Sequence, residues 1–184
     1  DYATYHINTD NFQAWNHGWQ YRNDGVDIEN SSDTDGNGYQ VGFTSEDEWL
    51  LFTVDIQESG FYNIVTRYAS TSSGIFSLEL DGIPIVDNII LYNTGSYSNF
   101  VNKLTQGIYL PQGTFKLKMK MITGGYNLSS VNFDLSDEIP EFSIEYAEAQ
   151  EDLSTILLLL NQPLDIDQEI NDSHFGVYVD SEEV

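Results

Sequence analysis

The sequence predicts an all-β protein, a β-sandwich, on three observations. From residue 39 onward, apolar segments recur about every ten residues and are separated by turn signals such as Asp81-Gly82 and Gly124-Gly125. Segment 114–122 alternates apolar residues with three lysines, the pattern of a strand with one buried face. Aromatic residues make up 14% of the chain, while Lys and Arg together number 6, a composition that favours sheets.

The segment 38–54 predicts a strand, a polar turn at 45–48 and a second strand. In the first strand, Tyr39, Val41 and Phe43 share a face. The second strand is so apolar that we expect it to be covered on both faces, with Trp49 in the core. Residues 1–30 suggest irregular loop with short strands. Strands are predicted at 49–56, 61–69, 75–80, 83–91, 100–110, 114–122 and 126–134.

The segment 31–38 is rich in acidic residues and glycine. Asp33, Asp35 and Asn37 match the first ligand positions of an EF-hand loop, but Thr44 stands where that loop needs a bidentate Glu. The flanking helices are also missing, so we expect a solvated turn here rather than a helix-loop-helix calcium site.

The composition changes near residue 136, because residues 137–184 contain 14 acidic residues and no Lys or Arg. Pro140 marks a linker at 137–141. We therefore predict a first domain at 1–136 and an incomplete second β domain at 142–184, since three strands cannot bury both faces of a sandwich. Its strands are expected at 142–147, 154–161 and 174–179. The second of these is apolar enough for a buried helix, but its polar flanks favour a strand.

The net charge of −24 arises from 30 acidic and 6 basic residues. This charge repels a phosphate backbone, which excludes a simple nucleic-acid binder. It fits neutral partners, divalent cations or a secreted protein from a salty habitat. Cysteine is absent, so disulfide and thiol chemistry are excluded. The chain shows neither a signal peptide nor a long apolar run, and its opening at Asp1 is compatible with removal of a signal.

Motifs for catalysis are missing from the sequence. The three histidines are scattered and match no zinc spacing. Neither a Gly-rich phosphate loop nor a nucleophile elbow is present. A domain of this size with short loops leaves little room for a deep catalytic cleft. We therefore expect a binding protein rather than an enzyme.

The residues near the predicted loops suit sugar binding. Sugar rings present C–H faces that stack on aromatic side chains, and their hydroxyls need both donors and acceptors. Phe43 and Tyr97 supply rings, and Asn127 supplies an amide. From the residues alone, Phe43 also fits a strand-end core ring and Asn127 also fits a turn cap.

Seven segments taken in order resemble a family 6 carbohydrate-binding module, over nearly all of residues 1–134. These segments are GVDIE (25–29), GYQVGF (38–43), DEWLLFTV (47–54), RYAS (67–70), LELDG (78–82), TGSYSNF (94–100) and GGYNLSSVNF (124–133). Such modules are non-catalytic jelly rolls joined to secreted glycoside hydrolases, with a ligand cleft in the loops at one end of the sandwich. The resemblance therefore implies a secreted module that targets an attached glycoside hydrolase to a β-linked polysaccharide.

The resemblance also implies four carbohydrate-binding residues. Phe43 matches the aromatic residue on one side of the cleft, and Tyr97 matches the usual Trp on the other side. Asn127 matches the amide that hydrogen-bonds sugar hydroxyls. Glu29 matches an acidic residue that contacts a chain-end sugar in some members. Phe43 lacks a phenol hydroxyl and Tyr97 is smaller than an indole, so one polar contact is lost and stacking is weaker.

A structural calcium ion is common in this family, so the resemblance makes Ca²⁺ a candidate cofactor. Its usual ligands are acids on the first strand and an Asp two places after the cleft Asn. That place is Ser129 here, and the matching first strand would lie before Asp1. Calcium prefers six to eight oxygen ligands, so we assign it none in this chain.

Two further interpretations accompany this one. The tail segments ILLLLNQPLD (156–165) and FGVYVDSEEV (175–184) are similar to the start of an immunoglobulin-like module. The alternative function is a calcium-dependent extracellular adhesion or scaffold segment in which the acidic tail binds cations. A small glycosidase is a third alternative, but a chain with 30 acidic residues always offers some carboxylate pair.

Overall fold

The computed structural model describes residues 5–6, 26–138, 140, 144–149 and 156–160. The chain divides into two compact units, Asp1–Pro140 and Glu141–Val184. The strands of the first unit are β1 (Tyr5–His6), β2 (Ile28–Asn30), β3 (Tyr39–Val41), β4 (Trp49–Ile56), β5 (Gly60–Ser70), β6 (Gly74–Leu80), β7 (Ile83–Leu91), β8 (Ser96–Leu110), β9 (Gly113–Thr123) and β10 (Tyr126–Leu135).

These strands form two antiparallel sheets within the described residues. One sheet has the order β1-β4-β9-β6-β7, and the other has the order β2-β3-β10-β5-β8. The prediction of an all-β sandwich is confirmed. The strands predicted at 49–56 and 83–91 have the observed bounds, and most of the others differ by only one or two residues. The exception is β8, which begins four residues before the predicted start at residue 100.

The core lies between the two sheets. Strand β9 contributes Leu117, Met119 and Met121, which are all buried, while its lysines alternate with them on the outer face. Ile64 and Tyr68 on β5 are buried in the same core from the opposite sheet. The period-2 alternation predicted for segment 114–122 is therefore confirmed. Its lysines lie on a central strand of the sheet, and Lys118 and Lys120 pair there with acidic residues.

The prediction that the strand at 49–56 is covered on both faces is wrong. Phe52 is 47% exposed, and Trp49 is only partly buried, with the Nζ atom of Lys118 lying 5.6 Å from its ring centre. Leu50 on the same strand is buried. The sequence of one strand does not distinguish a ring on the outer face from a ring in the core. The lysine that covers Trp49 belongs to another strand.

The second unit contains β11 (Ile144–Ala149) and β12 (Ile156–Leu160), which pair antiparallel. The choice of a strand over a helix for the apolar run in β12 is confirmed. The strand predicted at 174–179 lies outside the described residues, and the immunoglobulin-like character of 142–184 stays a prediction. Within the described part of the chain, no helix is long and apolar enough to span a membrane.

Candidate functional site

Phe43 lies just after β3 in a turn that presents its side chain to solvent. The side chain is 46% exposed, and the backbone has φ 52°, in the left-handed region that residues with a side chain rarely adopt. Holding a bulky residue there costs free energy. The interpretation of Phe43 as a core ring is therefore wrong, and the strained turn is a feature typical of functional sites.

Tyr97 lies in β8, close to its start, rather than in a loop as the sequence suggested. The pairing of β8 with β5 is irregular here, because Ser70 pairs with Ser96 while Tyr68 pairs with Val101. The extra residues of β8 bulge outward, and the Tyr97 side chain is 46% exposed. The bulge therefore presents a second aromatic ring to solvent.

Asn127 connects this bulge to the neighbouring part of the sheet. It is buried in β10, and its Nδ2 atom donates a hydrogen bond to the main-chain carbonyl oxygen of Tyr97 at 3.1 Å. In the described residues, its Oδ1 atom accepts no hydrogen bond. The amide therefore positions Tyr97 and leaves a carbonyl oxygen available as an acceptor.

Glu29 on β2 comes close to Asn127 because Gly42 has no side chain. A Cβ atom at position 42 would lie 2.6 Å from the Oε1 atom of Glu29 and 3.3 Å from the Oδ1 atom of Asn127. Any larger residue at position 42 would displace the carboxylate. Since Phe43 follows Gly42 directly, the structure brings all four sequence-predicted residues to one end of the sandwich.

Hydrogen bonds fix the turn that carries Phe43. The hydroxyl of Thr44 donates to the carbonyl oxygen of Tyr126 at 2.7 Å and accepts from the main-chain N–H of the same residue at 3.0 Å. Gly125 N–H donates to the carbonyl oxygen of Thr44 at 2.8 Å. A Cβ atom at Gly124 would lie 1.9 Å from that oxygen, so only glycine permits this approach.

Hydrogen bonds also hold the segment before Tyr97 near the start of β10. Thr94 N–H donates to the carbonyl oxygen of Ser70 at 2.9 Å, and the Ser70 hydroxyl donates to the carbonyl oxygen of Gly125 at 2.7 Å. Asn99 Nδ2 donates to the carbonyl oxygen of Thr94 at 2.6 Å. Both ring-bearing segments are therefore held against the start of β10 before any ligand arrives, which lowers the ordering cost of binding.

Two residues of this site were missed by the sequence analysis. Gln40 on β3 donates from Nε2 to the Oε1 atom of Glu29 at 2.7 Å, and Gly42 provides the space described above. The sequence pattern places Gln40 and Gly42 only on the strand face opposite Tyr39 and Val41. Their alternate spacing places them on the same face, but the partner across the strand pair becomes visible only with the register of β2 on β3.

The model of carbohydrate binding module family 6 matches residues 13–135. The chain belongs to carbohydrate-binding module family 6. It is therefore a non-catalytic binding module, and the expectation of a binding protein rather than an enzyme is confirmed. A search of curated proteins found no match.

Solved structures of family 6 modules are similar to this chain. A module of Cellvibrio mixtus lichenase 5A in complex with cellotriose is 28% identical, with a TM-score of 0.54 over 59% of this chain and 86% of that chain. The C-terminal module of LamC, a marine laminarinase from Zobellia galactanivorans, is 26% identical, with a TM-score of 0.53 over 58% and 86%. A Clostridium cellulolyticum module in complex with xylose, 23% identical with a TM-score of 0.51 over 58% and 84%, shows the same fold.

The two candidate rings lie outside the cavities that the described residues form between the sheets. Two cavities of about 480 and 420 Å³ lie between the sheets and are lined mainly by apolar residues such as Val41, Leu50 and Leu117. Neither is lined by Phe43 or Tyr97. Tyr39 lines the larger cavity beside Val41.

The surroundings of Ser129 do not fit a calcium ion. The Ser129 hydroxyl donates to the Oδ2 atom of Asp33 at 2.7 Å, and Arg67 binds both oxygens of the same carboxylate at 2.6 Å. Among the described residues, no group of three or more His, Cys, Asp or Glu is placed to hold a metal ion. The guanidinium of Arg67 is therefore bound to the Asp33 carboxylate, which also accepts the hydrogen bond from Ser129.

This ion pair also involves the segment 31–38, which is predicted to be a solvated turn. The Asp33 side chain is fully buried, while Asp35, which contacts Arg67 at 3.0 Å, is exposed. The hydrogen bonds from Arg67 outweigh desolvation and lower the pKa of Asp33 to about 2. The segment is a turn whose residues 34–38 are exposed, as predicted, while Arg67 fastens Asp33 to the outer face of the sheet.

Proposed function

We propose that this module binds a neutral, β-linked polysaccharide at the end of the sandwich, between the side chains of Phe43 and Tyr97. The observation that carries the proposal is a grouping at one end of the sandwich. Two residues with half-exposed rings lie there together with a buried amide and a carboxylate. The rings would stack on the faces of a sugar unit. Asn127 and Glu29 would accept hydrogen bonds from its hydroxyl groups.

The kind of polysaccharide follows from charge and from similarity. The net charge of −24 and the carboxylate of Glu29 disfavour sulfated or uronic-acid chains, so the ligand is a neutral glycan. The module of Cellvibrio mixtus lichenase 5A, 28% identical to this chain, was solved with cellotriose, which is a β-linked glucan fragment. This similarity supports a β-linked ligand here.

The module serves, in this proposal, to hold a covalently attached glycoside hydrolase near its substrate in the extracellular space. Similar modules belong to a lichenase and a laminarinase. An open site orders few groups and binds one chain with modest affinity. Tethering the enzyme nevertheless raises its effective concentration at the polysaccharide surface.

A glycan array tests this proposal, with neutral β-glucans, xylan, agarose, α-glucans, alginate and carrageenan, each with and without calcium. We expect retention of neutral β-linked chains in both conditions. Retention of only α-linked or anionic chains would contradict the proposed ligand. A calcium-dependent rise in melting temperature with no glycan retained would favour the adhesion or scaffold function instead.

A further inference from the structure

The side-chain amide of Gln40 is hydrogen-bonded at one end only. Gln40 pairs with Glu29 across β2 and β3, is only 7% exposed, and donates from Nε2 to the Oε1 atom of Glu29 at 2.7 Å. The other end of its amide, Oε1, is buried and has no hydrogen-bond partner in the described residues. Buried acceptors are normally satisfied, so this one needs an explanation.

The orientation of the amide follows from the chemistry of Glu29. An ionised carboxylate only accepts hydrogen bonds, so the NH₂ group of Gln40 must face it and the oxygen must point away. Leaving that oxygen buried and unpaired destabilises the fold relative to an apolar side chain of similar length. We therefore expect Gln40 to contribute no more to stability than a methionine would at the same position.

The hydrogen bond from Gln40 affects the geometry of the proposed binding site. Gln40 fixes the Oε1 atom of Glu29 over Gly42, where the Oδ1 atom of Asn127 also lies. Two acceptor oxygens are thereby held close to the same glycine, which directly precedes Phe43. Without Gln40, the carboxylate of the partly buried Glu29 could turn away toward solvent.

We propose that Gln40 is a positioning residue, which holds the carboxylate of Glu29 beside Asn127 so that the two oxygens receive two neighbouring hydroxyl groups of one sugar unit. This inference rests on the proposed function. It adds a requirement on the ligand, because the bound unit must carry two adjacent, unsubstituted hydroxyls that donate.

The test compares wild-type protein with Gln40→Met by calorimetric titration with the best-retained glycan and by thermal unfolding. We expect the Kd to rise about tenfold, since a charge-assisted contact loses its fixed geometry. We expect the melting temperature to stay the same or rise, since the unpaired buried oxygen is gone. In a Glu29→Ala background, Gln40→Met should change the Kd no further, because Gln40 acts through Glu29.

Gln57→Met is the matched control, because Gln57 donates to Asp55 at 2.6 Å in an exposed pair just after β4, at the end of that strand remote from Phe43. It should leave the Kd unchanged. An unchanged Kd in Gln40→Met, or additive effects of the two site substitutions, would overturn the inference. So would a lower melting temperature in both Gln40→Met and Gln40→Leu, which would make Gln40 a structural residue. If wild-type protein retains no glycan, the proposed function fails, and the inference fails with it.

Discussion

The amide of Asn127 bridges to the carbonyl oxygen of Tyr97 across a strand that lies between them. Asn127 is on β10 and Tyr97 is on β8, while β5 separates the two strands in the sheet. Asn127 pairs with Ala69 on β5, and Ala69 is fully buried with a side chain of one carbon. The small residue in the middle strand leaves room for the bridge, so the position of one ring depends on a distant amide.

Replacing Asn127 by Asp should therefore weaken binding by more than the loss of one ligand contact. The carboxylate cannot donate to the carbonyl oxygen of Tyr97 and repels it, so the bulge shifts as well. We expect at least a tenfold higher Kd, on the scale of about 1.5–3 kcal/mol for charged hydrogen-bonding groups. Calorimetric titration measures this Kd. Asn132→Asp, at an exposed position of the same strand, should bind like wild type; equal affinities for all three proteins would refute the bridge.

Replacing Phe43 by Gly should separate stability from binding. Glycine adopts positive φ without the penalty of roughly 1 kcal/mol that a side chain incurs, so the melting temperature should not fall below that of Phe43→Ala. Both variants lack the ring and should lose glycan retention equally. Thermal unfolding measures the melting temperatures, and affinity electrophoresis measures glycan retention. A Phe43→Gly protein that retains glycan like wild type would show that the ring does not contact the ligand.

The Asp33–Arg67 pair should stabilise the module above about pH 4 and lose this effect as the pH falls toward 2. The folded-state pKa of Asp33 is about 2 against an ordinary 3.8, and a lowered carboxyl pKa stabilises the fold only where the group is ionised. The difference is worth about 2 kcal/mol, because one pKa unit corresponds to about 1.4 kcal/mol.

The check is the free energy of unfolding of wild type and Asp33→Asn between pH 5 and pH 2. The gap between the two proteins should narrow across this range. A gap that stays constant with pH would contradict the assignment. Arg67→Met should cost more at neutral pH than Asp33→Asn, about 3–5 kcal/mol, because it leaves a buried carboxylate unpaired.

The strands were predictable from the sequence because their signals are local. Alternation along 114–122 and turn pairs such as Asp81-Gly82 follow from neighbouring residues alone, and the observed strands agree. Trp49 was misassigned because Lys118, which covers its ring, belongs to another strand. The burial of a ring on a sheet surface depends on partners that a single strand does not reveal.

The site was predictable in part. Phe43, Tyr97, Asn127 and Glu29 were identified from segments of the sequence, and the structure places them at one end of the sandwich. Gln40 was missed because its pairing with Glu29 depends on the register of β2 on β3. The Asp33–Arg67 pair was missed because it depends on a loop that folds back on a sheet. The roles of Phe43, Tyr97, Asn127 and Glu29 in ligand binding stay predictions.

Affinity electrophoresis of wild type and Tyr97→Ala in gels containing laminarin, xylan, hydroxyethylcellulose or agarose tests the central claim most directly. Wild type should be retarded by at least one of these neutral glycans. Tyr97→Ala should lose most of that retardation, since one stacked ring is worth roughly 1–3 kcal/mol on the scale of base stacking. The exposed ring of Tyr92, 61% accessible, supplies the control Tyr92→Ala, which should migrate like wild type. Equal retardation of wild type and Tyr97→Ala on every retained glycan would contradict a site between Phe43 and Tyr97.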